Sequence, residues 1–394
     1  MYRLEGRIQH YAWGGNTFLP ACLGQENKDD KPFAEYWLGV HPGAPAMVHL
    51  GENATTTLLN LVNSDKFRHL GNPTAGKFKG LPFLLKILDV NDMLSIQVHP
   101  NKSMAEIGFE RESHMGIALD APHRNYKDDN HKPEMMVALS EFWLLHGFSN
   151  QIAQTVDTYD FLKPFKSLYE EEGIKGLYRH LLNLPQQEVN LVLEKHAQTI
   201  IPLYQDGKLP KSGPDFWAAR AILNLSRDGQ YDNGIFSIYL MNILHLKKGE
   251  GIFQGAGLLH AYLEGQNIEL MSNSDNVLRA GLTNKYIDIP ELLAQTSFDI
   301  TIPNVIPVNT VGDQFYPSAS SDFSLHRIRL FSEEQKLLKF AGPSIFLVME
   351  GEASWMGESS ISTKGVAAFF VEPNEPITIK AYTEVELFIA TVPI

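Results

Sequence analysis

Two residues near position 98 carry metal-binding side chains and lie two positions apart. Residues 93–99 alternate between apolar and polar side chains and are followed by Pro100, a pattern that predicts a half-buried strand. Gln97 and His99 would point to the same side of this strand, and an amide oxygen and an imidazole nitrogen both bind borderline divalent metals. Most such triplets bind nothing, so this pair alone indicates a metal site only weakly.

A lysine and a glutamate have the same spacing around Pro133. The proline favours an extended backbone at Lys132, so the side chains of Lys132 and Glu134 can share one side. Glu134 offers a carboxylate ligand, and a nearby metal cation favours the neutral amine that a lysine needs to act as a general base. The alternative for this segment is a solvated polar loop.

A third candidate is His260, followed two positions later by Tyr262. It would complete a set of two nitrogen and two oxygen ligands with Gln97, His99 and Glu134, and such a set suits zinc. A single histidine before an aromatic residue is more often a structural residue than a ligand, so this alternative stays open.

Two cations follow His260 in a polar, glycine-bearing stretch that includes Asp275. They are Arg279 and Lys285. An arginine suits a phosphate group or the developing charge of an enediolate oxygen. The alternative is a surface turn without a ligand.

The elements that must position these residues are mainly strands. Residues 1–149 are typical of short strands joined by turns, and alternation returns at residues 235–244 and again after residue 300. Residues 150–234 instead follow helical spacing, with prolines between the segments. We therefore expect a mainly β protein with a helical insertion, and the many short strands favour a barrel or jelly roll.

One segment resembles a nucleotide-binding loop without fulfilling its chemistry. Gly71, Gly76 and Lys77 have the spacing of a P-loop, but Phe78 stands where serine or threonine should hold magnesium. We interpret this segment as an ordinary loop.

Composition narrows the classes of partner. The chain has 394 residues and a net charge of −13, and its basic residues are scattered, which argues against a nucleic-acid or membrane partner. Cys22 is the single cysteine, so no internal disulfide forms.

We find no signal peptide and no apolar segment long enough to span a membrane, and we expect a cytoplasmic protein.

Several blocks together resemble the type I mannose-6-phosphate isomerases of the cupin superfamily. These blocks follow one another along residues 1 to roughly 285 in the same order as in members of that family. The blocks are Ile8-Gln-His-Tyr-Ala-Trp-Gly14, Ala34-Glu-Tyr-Trp-Leu-Gly-Val-His-Pro42, Gly80-Leu-Pro-Phe-Leu-Leu-Lys-Ile-Leu88, Leu94-Ser-Ile-Gln-Val-His-Pro100, His131-Lys-Pro-Glu134, His260-Ala-Tyr-Leu-Glu-Gly265 and Asp275-Asn-Val-Leu-Arg-Ala-Gly-Leu-Thr283. The chain departs from the family at Gly257-Leu-Leu259, just before His260. Other members of the family often have a proline there, which makes a rigid turn.

The resemblance implies a cupin-type catalytic barrel over residues 1–149 and 235–300, an α-helical domain over 150–234, and a second jelly-roll domain over 301–394. It implies a monomer that interconverts mannose 6-phosphate and fructose 6-phosphate through a cis-enediol. One Zn²⁺ per chain is expected on Gln97, His99, Glu134 and His260. Two alternatives stay open, an isomerase of another aldose phosphate and a non-catalytic metal-bearing cupin that senses a sugar phosphate.

The resemblance also implies further active-site positions, and the chemistry of isomerisation suggests a role for each. We expect Lys132 to be the base, with Glu269 as the second choice, and Arg279 to stabilise the enediolate. His131 would help to open the sugar ring. The expected substrate-binding residues are Trp13, Lys86, Ser95, Tyr262, Asp275 and Lys285, of which Lys86, Ser95 and Lys285 are candidates for the phosphate.

Overall fold

The computed structural model describes residues 1–51, 54–226, 229–310, 312–356 and 360–393. Its strands are β1 (Tyr2–Glu5), β2 (Arg7–Gln9), β3 (Glu35–Gly39), β4 (Met47–His49), β5 (Thr55–Thr57), β6 (Phe83–Val90), β7 (Ile96–Val98), β8 (Glu134–Ala138), β9 (Phe142–Phe148), β10 (Met241–Leu246), β11 (Gly251–Gln254), β12 (His260–Ser272), β13 (Leu278–Gly281), β14 (Gln314–Tyr316), β15 (Ser324–Leu330), β16 (Gln335–Leu338), β17 (Ser344–Glu350), β18 (Glu352–Met356), β19 (Ser360–Lys364), β20 (Ala367–Val371), β21 (Ile377–Ala381) and β22 (Val385–Thr391).

The helices lie mostly in the first two thirds of the chain. They are α1 (Phe18–Cys22), α2 (Leu58–Ser64), α3 (Lys66–Lys77), α4 (Lys102–His114), α5 (Ile152–Thr158), α6 (Lys166–Leu182), α7 (Gln186–Gln205), α8 (Pro214–Leu225), α9 (Gly234–Leu240) and α10 (Ile289–Gln295), with a 3-10 turn at Lys163–Phe165. Among the described residues, no helix combines the length and the apolar character needed to cross a lipid bilayer.

The strands form four sheets that stack face to face. The front sheet has the order β13-β7-β12-β9-β10, and the middle sheet has the order β2-β3-β6-β12-β8-β11. Behind them lie the rear sheet, β14-β15-β22-β17-β20-β1-β4-β5, and the outer sheet, β16-β21-β18-β19. Within the described residues this strand order does not close on itself, so the predicted cupin-type fold is confirmed as packed sheets rather than a closed barrel.

Strand β12 belongs to two of these sheets and joins them at one end. Its first residues pair with β7 and β9 in the front sheet, and from Gly265 onward it pairs with β6 and β8 in the middle sheet. Gly265 has a φ of +126°, and a Cβ there would lie 2.6 Å from the carbonyl oxygen of Glu141. A glycine is therefore required where the strand bends from one sheet into the other.

Alternating residues give the middle sheet two different faces. In β6, Leu85 and Ile87 pack with apolar residues of the rear sheet, such as Ile345 and Leu347. Lys86, between them, points toward the front sheet, where its side chain pairs with carboxylates. All residues of β6 are buried, which explains why Lys86 is the one charged residue within the apolar run 83–88.

The helical spacing of residues 150–234 is confirmed, because this region contains α6, α7 and α8. Their buried side chains, including Leu177, Leu193 and Trp217, pack on the outward side of the front sheet beside Val98 and Ala261. The helical layer thus supports the strands that carry Gln97 and His260.

Three sequence-based expectations about the elements are wrong. Residues 235–240 form helix α9 rather than a strand; all of its residues are buried, and a helix buried on every side has no amphipathic signature. The expected loop at residues 71–77 is part of helix α3, with a break at Gly71. Residues 1–149 also contain α1 to α4: α1 and α2 have 5 and 7 residues, too few to show a period, and α3 and α4 bury few apolar side chains.

The first strand, β1, lies in the rear sheet, although the next strand, β2, lies in the middle sheet. Strands β1 and β4 pair with each other, and β1 also pairs with β20 in the rear sheet. The N-terminal residues are therefore hydrogen-bonded to the part of the chain that follows residue 300. The proposed division into domains remains a prediction.

Candidate metal centre and active-site cavity

Three potential metal ligands meet between the front and middle sheets. His99 directly follows β7, His260 begins β12 and Glu134 begins β8. Each is at most 1% exposed, and their potential ligand atoms all lie within 4.8 Å of one another. The structure therefore brings together three residues that are far apart in the sequence.

The hydrogen bonds of the two histidines define which ring nitrogen faces Glu134. His99 Nδ1 donates to the carbonyl oxygen of Asn276 at 2.7 Å, and His260 Nδ1 donates to that of Leu258 at 3.0 Å. In the neutral rings Nε2 is then an acceptor. Each Nε2 lies 3.3 Å from a different oxygen of Glu134.

Two acceptors facing each other at this distance require a cation between them. Burial, followed by the charge of Lys132, lowers the pKa of His99 to about 4, which disfavours a proton between His99 and Glu134 near neutral pH. Burial alone would raise the pKa of Glu134, but Lys132 and His99 outweigh it and hold that pKa well below its ordinary value.

The unpaired atoms at this site fit a divalent metal. His99 Nε2, His260 Nε2 and Glu134 Oε2 are buried without a hydrogen-bond partner, which is costly unless an ion is bound. Zinc ligands about 2.1 Å from the ion lie about 3.4 Å apart in a tetrahedral site, close to the observed separations. Carbonyl acceptors on both Nδ1 atoms are the usual support for histidine ligands.

Gln97 lies beside this cluster by strand register. In the front sheet it is opposite His260 on one side and Arg279 on the other. Residues directly opposite each other share a face, so Gln97 points to the same side as His260. Its role as a fourth ligand stays a prediction.

The turn before His260 is fixed without the proline that the family often has. The Gly257 amide donates to the carbonyl oxygen of His99 at 2.9 Å, and the Gly257 carbonyl accepts from the Ser297 amide at 2.8 Å. Gly257 has a φ of +77°, which a glycine adopts without strain. This turn therefore ties two of the three clustered residues together.

Lys132 lies against the cluster, as its spacing to Glu134 predicts. Its Nζ is 3.0 Å from Glu134 Oε1, and the lysine is buried. His131, the preceding residue, points elsewhere: its Nε2 is 2.9 Å from Asp322 Oδ2. The structure thus places Lys132 at the cluster and His131 at the contact with the rear part of the chain.

A second buried group of charges lies on the middle sheet. Lys86 Nζ donates to Glu269 Oε2 at 2.9 Å and lies 3.7 Å from Glu35 Oε2. Burial would lower the pKa of Lys86, but Glu269 and Glu35 outweigh it and raise that pKa, while burial raises the pKa of Glu269. Burial and the neighbouring Glu269 also raise the pKa of Tyr262 well above its ordinary value.

Glu35 and Trp37 belong to this group and were not among the predicted site residues. Trp37 Nε1 donates to Glu35, and Lys86 Nζ lies 5.3 Å from the centre of the Trp37 ring. They sit two positions apart on β3, so the same spacing argument that selected Gln97 and His99 would have found them.

A cavity of about 520 Å³ opens beside the second of these groups. Strand register connects it to the first group, because Arg279 in its wall is opposite Gln97, which is in turn opposite His260. Glu35 lines the cavity, as do four of the predicted residues, Trp13, Ser95, Arg279 and Lys285. The side chains of Arg279 and Lys285 form no hydrogen bond or ion pair with the residues that the structure describes. Burial lowers the pKa of both side chains, so the cavity wall carries two partly buried cations that are not neutralised by an ion pair within the described part of the chain.

Asp275 is not among the residues that line this cavity. Its Oδ2 lies 2.9 Å from His41 Nε2, and about half of its side chain is exposed. Burial would raise the pKa of Asp275, but the hydrogen bond to His41 outweighs it and lowers that pKa. Its role in substrate binding stays a prediction.

Known proteins resemble the chain along its length. The family model for phosphomannose isomerase type I, catalytic domain, matches residues 1–151. Mannose-6-phosphate isomerase of Escherichia coli (strain K12) is 36% identical over 395 residues, covering 97% of each chain. The Salmonella typhimurium enzyme of the same name is 34% identical over 390 residues, covering 96% of each chain.

A solved structure agrees with the sequence relatives. It is mannose 6-phosphate isomerase from Salmonella typhimurium bound to substrate (fructose 6-phosphate) and a zinc atom. It superposes with a TM-score of 0.87 at 32% identity and covers 100% of both chains.

Proposed function

The chain belongs to the type I mannose-6-phosphate isomerase family, and we propose that it interconverts mannose 6-phosphate and fructose 6-phosphate with one zinc ion. The observation that carries this function is the cluster of three buried, unpaired ligand atoms, joined through the register of Gln97 and Arg279 to a cavity whose wall carries two cations without an ion-pair partner in the described part of the chain. Both features suit isomerisation of a sugar phosphate, because a bound metal polarises oxygen atoms at the carbonyl end of the substrate and cations bind the phosphate at the other end.

His99, Glu134 and His260 would hold the zinc ion, with Gln97 as the fourth ligand. Bound zinc supplies a Lewis acid that polarises oxygen atoms of the substrate. The carbonyl groups of Asn276 and Leu258 orient the two imidazole rings, and the packed sheets exclude bulk water from the cluster.

Lys132 is our choice for the base that moves the proton. Isomerisation removes a proton from C2 of the open-chain aldose and adds one to O1, which gives a cis-enediol. A proton delivered to C1 and one lost from O2 then give the ketose. Lys132 lies beside the metal ligands, whereas Glu269, the second choice, accepts a hydrogen bond from Lys86. A positioned base contributes about 10² to 10⁴-fold to the rate.

The phosphate would bind at Lys285 and Ser95, which line the cavity. Arg279 lines the same cavity and lies next to Gln97 in the sheet, a position that suits stabilisation of the enediolate. Lys86 was a further candidate for the phosphate, but its ammonium already lies between two carboxylates. We therefore assign it to holding Glu269 and Glu35.

The remaining predicted residues surround this arrangement. Trp13 stacks on Tyr11 with ring centres 5.8 Å apart and would form the wall for the sugar. Tyr262 and Asp275 stay assigned to substrate binding and His131 to ring opening. We also propose that the protein is a cytoplasmic monomer with no nucleic-acid or membrane partner. Its proposed domains are a catalytic domain of residues 1–149 and 235–300, a helical domain of residues 150–234 and a C-terminal domain of residues 301–394.

A coupled assay of fructose 6-phosphate formation from mannose 6-phosphate tests the proposed function. We expect turnover with mannose 6-phosphate, and little with glucose 6-phosphate as the control epimer. Preferred turnover of another aldose phosphate would change the substrate. Saturable binding of mannose 6-phosphate without turnover by the zinc-loaded protein would contradict the enzyme and favour a sensor.

A further inference from the structure

The turn that separates Arg279 from Lys285 has an unusual backbone. The pairing of β13 with β7 shifts register between Arg279 and Gly281, as expected for a bulge. Gly281 has a φ of +136°, and the buried Leu282 has a φ of +54°. A leucine rarely adopts a positive φ, so neighbouring contacts must hold this turn in place.

The carboxylate of Asp232 supplies those contacts. Its Oδ1 accepts a hydrogen bond from the Leu282 amide at 2.8 Å, and its Oδ2 accepts one from the Thr283 amide at 3.1 Å. The same Oδ1 accepts from the Gly234 amide at 2.7 Å. One side chain before α9 therefore binds the strained turn and the start of that helix.

Two glycines allow the two segments to touch. A Cβ on Gly281 would lie 2.3 Å from Gly234 Cα, and a Cβ on Gly234 would lie 2.5 Å from the Leu282 amide nitrogen. Either side chain would push the segments apart. Helix α9 is itself embedded in the helical core through Phe236 and Tyr239, so the turn is fixed to a rigid body.

We propose that Asp232 is a positioning residue for the cationic wall of the cavity. Arg279 and Lys285 have no side-chain partner in the described part of the chain, so the backbone of this turn determines where their charges lie. Leu282 and Thr283 line the cavity, while Asp232 does not. This inference rests on the proposed function, because it takes the phosphate end of the substrate to bind at this wall.

Two variants of Asp232 test the proposal with a neighbouring control. Asp232→Ala removes all three acceptor contacts. Asp232→Asn keeps one acceptor oxygen but turns an NH₂ group toward an amide that needs an acceptor. The control is Asn233→Ala: Asn233 Nδ2 donates to the carbonyl oxygens of Leu181 and Leu182 and makes no hydrogen bond to the turn. Each variant is assayed as the zinc-loaded full chain.

The readouts separate positioning from general stability. We expect Asp232→Ala to raise KM for mannose 6-phosphate at least tenfold and the inhibition constant of inorganic phosphate by a similar factor. Asp232→Asn should show a smaller rise in both constants. Zinc content should stay at one per chain, and Asn233→Ala should leave both constants within twofold of the unmodified chain.

The outcomes distinguish this inference from the function on which it rests. An unmodified chain that does not isomerise mannose 6-phosphate contradicts the proposed function. An active chain that inorganic phosphate does not inhibit overturns the inference, because no phosphate then binds at the cationic wall. An active, phosphate-inhibited chain whose Asp232→Asn and Asp232→Ala variants keep both constants overturns the role of Asp232 alone. If Asp232→Ala does not fold, unchanged constants in Asp232→Asn still overturn it.

Discussion

The space between the front and middle sheets differs from the space between the rear and outer sheets. Both are interiors of packed antiparallel sheets. The rear and outer sheets enclose apolar side chains such as Phe346, Trp355 and Ile379. The front and middle sheets enclose Glu134, Lys86 and other ionisable groups that are almost fully buried. The same architecture thus builds one stabilising core and one reactive interior.

The middle sheet shows how a reactive interior is kept in place. Its other face packs against the rear sheet through residues such as Leu85, Ile268 and Leu347. Burying unpaired charges would destabilise the fold. Here Lys86 and Lys132 are paired with carboxylates, and the apolar face behind them anchors the strands. Substitutions in the two interiors should therefore separate activity from stability.

The largest expected effect on turnover is at Lys132 in the reactive interior. Lys132→Met should retain zinc, since lysine is not a ligand, while kcat falls by about 10² to 10⁴-fold. The coupled assay and zinc analysis of the purified variant measure both. Lys248→Met, which removes a half-exposed lysine paired with Glu350 at 2.8 Å, is the control and should keep full turnover. Full activity of Lys132→Met would remove Lys132 from the role of base.

The opposite behaviour is expected in the apolar interior. Phe346 is 1% exposed, and Phe346→Ala should lower the free energy of unfolding by about 3–5 kcal/mol without changing kcat or KM below the unfolding transition. Thermal unfolding and the coupled assay measure the two quantities. Phe331→Ala, at a residue that is 53% exposed, should cost far less. A lower kcat in fully folded Phe346→Ala would show that the two interiors are coupled.

The smallest expected effect concerns the contact that joins the two interiors. Asp322 accepts hydrogen bonds from His131 Nε2 at 2.9 Å and Ser272 Oγ at 2.8 Å. Burial would raise the pKa of Asp322, but the hydrogen bond and charge of His131 outweigh it and lower that pKa. A lowered folded-state pKa stabilises the fold above the ordinary value of about 4, and this contribution is lost as the pH falls through the lowered value.

Asp322→Asn should therefore lower stability by about 1 kcal/mol near neutral pH. The difference from the unmodified chain should shrink below about pH 4, the ordinary pKa of an aspartate, as measured by urea unfolding at several pH values. A difference that stays constant from neutral to strongly acidic pH would mean that the ionised carboxylate contributes nothing.

Local spacing in the sequence predicted which side chains lie next to each other better than it predicted the helices and strands around them. Residues two apart on a strand share a face whatever the sheet order, so the placement of Lys132 beside Glu134 followed from local spacing. The meeting of His99, Glu134 and His260 depends on the pairing of β12 with both sheets, which spacing does not encode. The family resemblance supplied that long-range information.

Other features were out of reach of local patterns. Helix α9 is buried on every side, so its apolar residues resemble a strand. The pairing of β1 with β20 joins residues from opposite ends of the sequence. Asp232 acts through backbone amides of Leu282 and Thr283, whose side chains carry no chemical signature. Glu35, by contrast, could have been found from the sequence, because it lies two residues from Trp37 in one of the segments that resemble the family.

The most direct test of the central claim is a zinc titration of the chelator-treated protein, with bound zinc and isomerase activity measured on the same samples. We expect activity to be lost on chelation and to return in proportion to bound zinc up to one ion per chain, while His260→Ala binds no zinc and stays inactive. Full activity of the zinc-free chain, or normal zinc content and turnover in His260→Ala, would contradict the assignment of this cluster as the metal centre.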